Sequence, residues 1–154
     1  MLDIASLIQS TLNNASNWTE TNPSIIDIAF CMDEYNPNSP NYQILIENYP
    51  DKKIWLITNI HKIEHRIKIT IFIKPVKYDN DTITLFKTKF LNMKTQIDKI
   101  LIENKFNISG VRNLILEGWN DKDTVRHGYD IKGDKEEPII FSSEQFITAE
   151  YYGE

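Results

Sequence analysis

Residues 81–105 read DTITLFKTKFLNMKTQIDKILIENK, and they carry the strongest structural signal in the chain. Their large apolar side chains recur at intervals of three and four residues with no Gly or Pro between them: Ile83, Phe86, Phe90, Met93, Ile97 and Ile100. This spacing places all six side chains on one face of an α-helix roughly 37 Å long. Such a stripe is typical of core packing. The stretch therefore predicts a long helix, capped by Asn80 or Asp81, that crosses a sheet.

The segment before this helix has the pattern of β-strands. Residues 66–74 alternate, and shorter apolar or alternating runs lie at 25–31, 42–48 and 53–58. In the 66–74 strand, Ile67, Ile69, Ile71 and Ile73 share one face, and the other face, expected to meet solvent or a partner, carries Arg66, Lys68, Thr70 and Phe72. Polar stretches, including 59–64, separate these runs. The pattern predicts an antiparallel meander.

The remaining segments complete the predicted architecture. Residues 1–15 have the periodicity of an amphipathic helix, 113–119 form a further strand, 120–138 form a charged loop, and 139–152 form a last strand or hairpin. Strands are grouped and do not alternate with helices. The order favours an α+β fold in which an antiparallel, or mixed, β-sheet packs against the long helix and the N-terminal helix. We expect residues 1–154 to form a single domain.

Composition narrows the classes of function. The 154 residues include 17 Lys and Arg against 22 Asp and Glu, which gives a net charge of −5 and no general reason to expect nucleic-acid binding. Within this total, residues 52–105 carry +7 and the two flanks together −12. No apolar run is long enough to span a bilayer, and no signal peptide is recognised, so we expect an intracellular protein without membrane contact. A single cysteine, Cys31, excludes an intrachain disulfide and a cysteine zinc cluster.

One motif suggests chemistry, because His61, Glu64 and His65 match the H-x-x-E-H pattern of inverzincin proteases. That pattern needs a helix, whereas on a strand the two histidines would lie ~13 Å apart and could not share a metal. We expect a polar connection instead. Cys31 with a histidine (His61, His65 or His127) forms a second enzyme hypothesis, and a buried structural cysteine is the favoured alternative. We expect no catalytic residue, no metal and no cofactor.

Two further ligand hypotheses are weaker. The loop aspartates Asp121, Asp123, Asp130 and Asp134 lack the spacing of a calcium-binding loop. Lysines near Tyr49, Trp55 and Phe72 leave a nucleic-acid-binding or adaptor module as the alternative function, although the aromatic signature of RNA-binding sheets is missing. Each of the three tryptophans is a candidate anchor for a core or an interface.

The whole-chain order resembles the tail-terminator, or tail-completion, proteins of tailed bacteriophages. The resemblance is carried by the N-terminal helix, by Ile44 to Pro50 followed by the strand from Ile67 to Ile73, by Thr95 to Leu101 in the long helix, and by the closing Ala149 to Tyr152. It implies a virion protein, made in the host cytoplasm, that forms a ring of six or possibly twelve subunits. Such a ring joins neighbouring neck or tail proteins, and DNA is only the content of its channel.

A ring of this kind needs two different complementary surfaces on each subunit, and the uneven charge along the chain suits that requirement. We expect the Lys-bearing strand and the outer side of the long helix to face acidic segments of a neighbouring subunit. The candidate interface residues are Arg66, Lys68, Phe72, Lys87 and Lys94.

Overall fold

The computed structural model describes residues 3–15, 18, 26–28, 42–57, 60–75, 77, 79–104, 110–126 and 139–153. In chain order these residues form helix α1 (Ile4–Asn14), strands β1 (Ile26–Ile28), β2 (Tyr42–Asn48), β3 (Lys52–Ile57) and β4 (Ile60–Ile73), helix α2 (Asn80–Asn104), and strands β5 (Asn113–Arg126) and β6 (Ile139–Gly153). The predicted α+β class is confirmed. The described helices include none that is long and apolar enough to cross a bilayer.

The strands form one mixed sheet in the order β1-β2-β4-β6-β5, and β3 pairs beside the first part of β4. Strand β4 is central: its residues 67–73 pair with β2, its residues 60–64 with β3, and its other edge with β6. The meander predicted for the strands before α2 is wrong in two places, because β1 runs parallel to β2 and because β2 pairs with β4 and not with β3. All other pairs are antiparallel.

The core lies between the helices and one face of the sheet. Alternation along the strands points every second side chain at α1 and α2, and these isoleucines are fully buried: Ile44, Ile46, Ile67, Ile69, Ile71 and Ile73. The predicted stripe of α2 supplies Phe86, Phe90, Met93, Ile97 and Ile100, while α1 supplies Ile4, Ile8 and Leu12. Each such side chain contributes about 1.5–3 kcal/mol when removed from water. The packing role predicted for both helices is confirmed.

The two helix starts are capped by aspartates that precede them. Asp3 accepts hydrogen bonds from the Ser6 hydroxyl at 2.7 Å and the Ser6 N–H at 3.1 Å. Asp79 accepts hydrogen bonds from the Thr82 N–H at 2.8 Å and the Thr82 hydroxyl at 2.9 Å. The predicted cap of α2 at Asn80 or Asp81 is therefore wrong by one or two residues. These hydrogen bonds lower the pKa of both carboxyl groups, because they stabilise the ionised form. Both caps therefore favour helix formation above their pKa.

Two predicted connections are strands. Residues 60–64, expected to be part of a polar link, begin β4, and residues 120–126, expected to begin the charged loop, continue β5. In each segment a long neighbouring strand supplies backbone partners, and these partners override the polar composition of the sequence. Residues 127–138 of the predicted loop lie outside the described residues, as do Cys31 and His127.

Candidate functional site

The sheet face away from the helices is bridged by ion pairs between adjacent strands. Lys68 of β4 lies 3.3 Å from Glu47 of β2 and 3.7 Å from Glu144 of β6. Glu144 also pairs with Lys122 of β5 at 3.1 Å. Lys68 is only 6% exposed, and the two carboxylates neutralise its charge. The lysine is therefore not available on the surface to a partner.

Arg66 lies on the same face, one pleat further along β4. Its guanidinium donates to Glu117 at 2.9 Å and stacks 3.8 Å from the centre of the Phe146 ring. Phe146 in turn meets Tyr49 edge to face, with ring centroids 5.4 Å apart. Because the side chains of Arg66 and Glu117 are both close to half exposed, water screens this pair and its net contribution is small.

The predicted interface residues do not form one surface. Arg66, Lys68 and Phe72 lie on the face of the sheet away from the helices, where Phe72 as well as Lys68 is buried. Lys87 and Lys94 lie on α2, on the opposite side of the sheet. The expectation that these lysines occupy solvent positions is wrong for Lys68 and Lys94 and correct for Lys87, which is exposed.

Lys94 anchors the helix to the sheet. Its ammonium group lies 2.6 Å from Asp121 and 4.5 Å from the centre of the Phe90 ring. Burial alone would raise the pKa of Asp121, but the hydrogen bonds from Lys94 and Ser143 and the positive charge of Lys94 together outweigh burial, and the pKa is lowered. This contact explains why a lysine is tolerated among the core residues of α2.

A second polar anchor joins α2 to the irregular part of β5. Asp98 accepts hydrogen bonds from the Trp119 indole N–H at 2.9 Å and from the Gln145 side-chain amide at 2.7 Å. The Gln145 oxygen accepts from the backbone N–H of Gly118 at 2.9 Å. Gly118 has a φ of +102°, which glycine adopts readily, at a break in the β5–β6 register. Trp119 therefore acts as a packing and anchoring residue within this chain.

The H-x-x-E-H segment lies within β4. His61 and His65 point to the helix side of the sheet, whereas Glu64 points to the other side and pairs with Lys62 at 3.3 Å. His61 is 5% exposed, its ring lies 4.6 Å from that of Trp55, and its Nδ1 has no hydrogen-bond partner among the described residues. The strand therefore separates the three residues of the protease motif. Within the described residues, no cluster of three or more potential metal ligands occurs.

His65 is the centre of a small polar group, the His65 cluster, formed with Asn48, Asp51 and Tyr151. Its Nδ1 contacts Asp51, and its Nε2 lies 2.8 Å from the Asn48 side-chain oxygen. Tyr151 hydrogen-bonds to the same Asp51, and its pKa is raised by burial and by the negative charge of that carboxylate. Both ring nitrogens are engaged, so the imidazole has no free position for a metal or a substrate.

A bulge between β2 and β3 creates the His65 cluster. Asn48 pairs opposite Ile67 and Lys52 opposite Glu64, so three residues of the outer strand face two of β4. One extra residue reverses the alternation, and Asn48 and Asp51 therefore both reach His65 although they are three positions apart. Alternating side chains alone would have placed them on opposite faces. The His65 cluster fastens this bulge to β4 and β6.

The most unusual surface is the end of the β3–β4 hairpin. Four large apolar side chains, which we call the apolar tip, are exposed there: Trp55 at 63%, Leu56 at 51%, Ile57 at 64% and Ile60 at 40%. The sequence interpretation missed this surface, because a continuous run such as Ile54 to Ile57 is typical of a buried strand. On β3, an outer strand in the described sheet, the run is exposed on both faces.

Comparison with known proteins found no matching family model and no matching curated protein. The described residues present three candidate functional features: the internally paired charged face, the His65 cluster and the apolar tip. In the first two, the charged side chains are paired with partners within the chain. The apolar tip differs from both, because its large apolar side chains are not covered by other described residues and remain exposed to water.

Proposed function

We propose that the chain is a non-enzymatic ring subunit of the tail or neck of a tailed bacteriophage, of the tail-terminator type. The observation that carries this proposal is the apolar tip, which exposes four large apolar side chains at one place. The α+β order of the elements, with a long helix laid across the sheet, supports it through the resemblance described above. Neighbouring neck or tail proteins are the expected further partners, and DNA passes through the channel.

The energetics favour association at the apolar tip. Contiguous exposed apolar residues on a small domain are typical of an interaction surface, whereas isolated ones are ordinary. Burying a side chain such as Trp55 or Ile57 against a partner contributes about 25 cal/mol per Å² of apolar area. Association requires a surplus over the loss of rotational and translational freedom. Four adjacent residues can supply a substantial part of that surplus.

The charged face is a weaker candidate for self-association. Lys68 is neutralised between Glu47 and Glu144, and Arg66 is already paired with Glu117. A neighbouring subunit would have to compete with these internal partners. We therefore move the proposed interface from the Lys-bearing strand to the apolar tip. Of the five predicted residues, only Arg66 and Lys87 are exposed.

Light scattering and negative-stain electron microscopy test the proposal directly. The purified chain should assemble at micromolar concentration, with rings in the micrographs and six subunits favoured. Ile57→Asp should abolish assembly, because it places a charge within the apolar tip. Leu85→Asp is the matched control, since Leu85 is 54% exposed and lies on α2 away from the tip. A chain that remains monomeric at low and high salt contradicts the proposal.

A nucleic-acid-binding module is the second candidate, and Trp55 beside exposed Lys52 and Lys53 is the observation that favours it. Aromatic rings next to lysines can stack with unpaired bases. Two of the three aromatic residues considered for this role are less available to stack on a base, however, because Phe72 is buried and Tyr49 packs on Phe146. Retention on a single-stranded oligonucleotide column, lost in Trp55→Ala and weakened by salt, would support this alternative.

A further inference from the structure

The ring of His65 is held between two oxygen acceptors, one at each nitrogen. Its Nδ1 contacts the Asp51 carboxylate, and its Nε2 lies 2.8 Å from the side-chain oxygen of Asn48. A neutral imidazole carries a single N–H and can donate to only one of these oxygens, whereas the imidazolium donates to both. The hydrogen-bond geometry is therefore that of the charged ring.

Negative groups from three directions surround this ring. Asp51 lies in the connection between β2 and β3, and Tyr151 of β6 hydrogen-bonds to the same carboxylate. Asp3, which caps α1, approaches from the N-terminal side. The pKa of Asp3 is lowered mainly by its hydrogen bonds with Ser6, and the positive charge of His65 adds to this effect. Loss of the His65 proton therefore removes a charge that two carboxylates face.

The other neighbours of His65 do not replace that charge. The buried side chains of Ile63 and Ile67 flank it on its own face of β4, and Ala149 of β6 lies opposite it. Lys53 of β3 lies on the same side of the sheet, opposite Ile63, but it is exposed, and water screens its ammonium group. Within the described part of the chain, the positive charge at this site therefore comes from the imidazolium.

Deprotonation of His65 breaks one of its two hydrogen bonds. When one proton passes to water, the remaining proton stays on Nδ1, because the charged carboxylate of Asp51 is a stronger acceptor than the amide oxygen of Asn48. The lone pair of Nε2 then faces the Asn48 oxygen, and two acceptors at this separation repel each other. Asn48 must turn its amide or move away from the ring.

This change acts directly on the bulge between β2 and β3. Asn48 ends β2, and the backbone N–H of the next residue, Tyr49, donates to the Arg66 carbonyl at 2.9 Å. Pro50 follows and has no N–H to donate to β4. The side chains of the His65 cluster therefore carry a large part of the attachment of the bulge to β4.

We propose that His65 is a pH-sensitive switch of the β2–β3 bulge: the charged ring fastens the bulge to β4 through Asp51 and Asn48, and the neutral ring releases Asn48. Histidine side chains change charge between about pH 5 and 8. Because β3 follows the bulge directly, the switch makes the attachment of the apolar tip dependent on pH. The inference concerns a single chain and does not depend on the proposed ring.

Hydrogen–deuterium exchange read by mass spectrometry follows both parts of the switch. Exchange at the imidazole C2 position gives the titration midpoint of each histidine, and backbone exchange reports the opening of residues 48–52. These residues should exchange at least about tenfold faster at pH 8.5 than at pH 6, after correction for the intrinsic effect of pH. The midpoint of this change should match the titration of His65, and the amides of α2 should show no such change.

Three variants separate the causes. His65→Gln should abolish the pH dependence, because glutamine does not titrate. Asn48→Asp should raise the titration midpoint of His65 by about one pH unit or more, because a second carboxylate then faces the ring. His61→Gln is the matched control and should behave as wild type, since His61 is a buried histidine of the same strand and face that lies outside the cluster. Far-UV circular dichroism confirms that each variant is folded.

Three results would overturn the switch. The first is equal protection of residues 48–52 at both pH values, whether or not His65 titrates between them. The second is a pH dependence that persists in His65→Gln, and the third is an unchanged His65 midpoint in Asn48→Asp. The wild-type profile should also be found in Ile57→Asp, which shows that assembly is not its cause.

Discussion

Removing the Asp98 carboxylate should expose how strongly α2 depends on its polar anchor. One oxygen of Asp98 accepts from Trp119 at 2.9 Å and from Gln145 at 2.7 Å, so Asp98→Ala leaves two donors without their partner. A hydrogen bond to a charged group contributes about 1.5–3 kcal/mol net. Asp98 is half-buried, and water can replace part of what is lost. We therefore expect a loss of about 2–4 kcal/mol in the free energy of unfolding.

Two variants separate the hydrogen bonds from the charge and from the general effect of mutating the helix. Asp98→Asn keeps an acceptor but removes the charge, and it should cost about 1–2 kcal/mol. Lys99→Ala is the control: its side chain is 64% exposed and lies 4.0 Å from Glu103, so the expected change is within about 0.5 kcal/mol. The order of stability should be wild type and Lys99→Ala, then Asp98→Asn, then Asp98→Ala.

Urea unfolding followed by circular dichroism measures these differences. All variants are compared at one protein concentration, because assembly stabilises the folded chain by mass action. The urea dependence of the free energy should be unchanged, which would show that the denatured state is the same. A loss below about 0.5 kcal/mol for Asp98→Ala, or one equal to that of Lys99→Ala, would refute the reasoning that this anchor stabilises the fold.

Three further predictions follow from local features. Gly118→Ala should lower the free energy of unfolding by about 1–2 kcal/mol in thermal or urea unfolding, because an L-residue is strained at a φ of +102° even though the added Cβ meets no neighbour within 4 Å. Asp3→Ala should cost about 1 kcal/mol by loss of the α1 cap, whereas Asn13→Ala on the same helix should not destabilise the chain. The free energy of unfolding should fall below about pH 4, because the pKa of Asp3 is lower in the folded state than in the unfolded state. It should also fall above about pH 10, because the pKa of Tyr151 is raised in the folded state and the unfolded state loses that proton first. A flat pH profile at both ends would contradict these assignments.

Periodicity explains most of what the sequence predicted correctly. The long helix was predicted at 81–105 and is found at Asn80–Asn104, because its apolar stripe has the period of a helix throughout. The strand at 42–48 matches β2, and the last strand begins at Ile139 as expected. These signals depend only on residues close together in the sequence.

The errors have a common cause in contacts between distant residues. Residues 60–64 and 120–126 are polar in sequence, yet each continues a strand because a long neighbour supplies backbone hydrogen bonds. Lys68 and Lys94 were expected at the surface, yet both are buried. Each forms an ion pair with a carboxylate of a neighbouring strand, and this pairing offsets the cost of burying the charge. The sequence contained these carboxylates but not the register that brings them to the lysines.

The sequence by itself determined the α+β class, the two amphipathic helices and the alternating core of the central strand, because local periodicity decides which side chains can share a face. The tertiary structure alone decided three things: the bulge that brings Asn48 and Asp51 to His65, the partners of the buried lysines, and the exposure of the apolar tip. Strand register and the position of a strand within a sheet are set by pairing between distant segments, and that pairing determines whether an apolar run is core or surface.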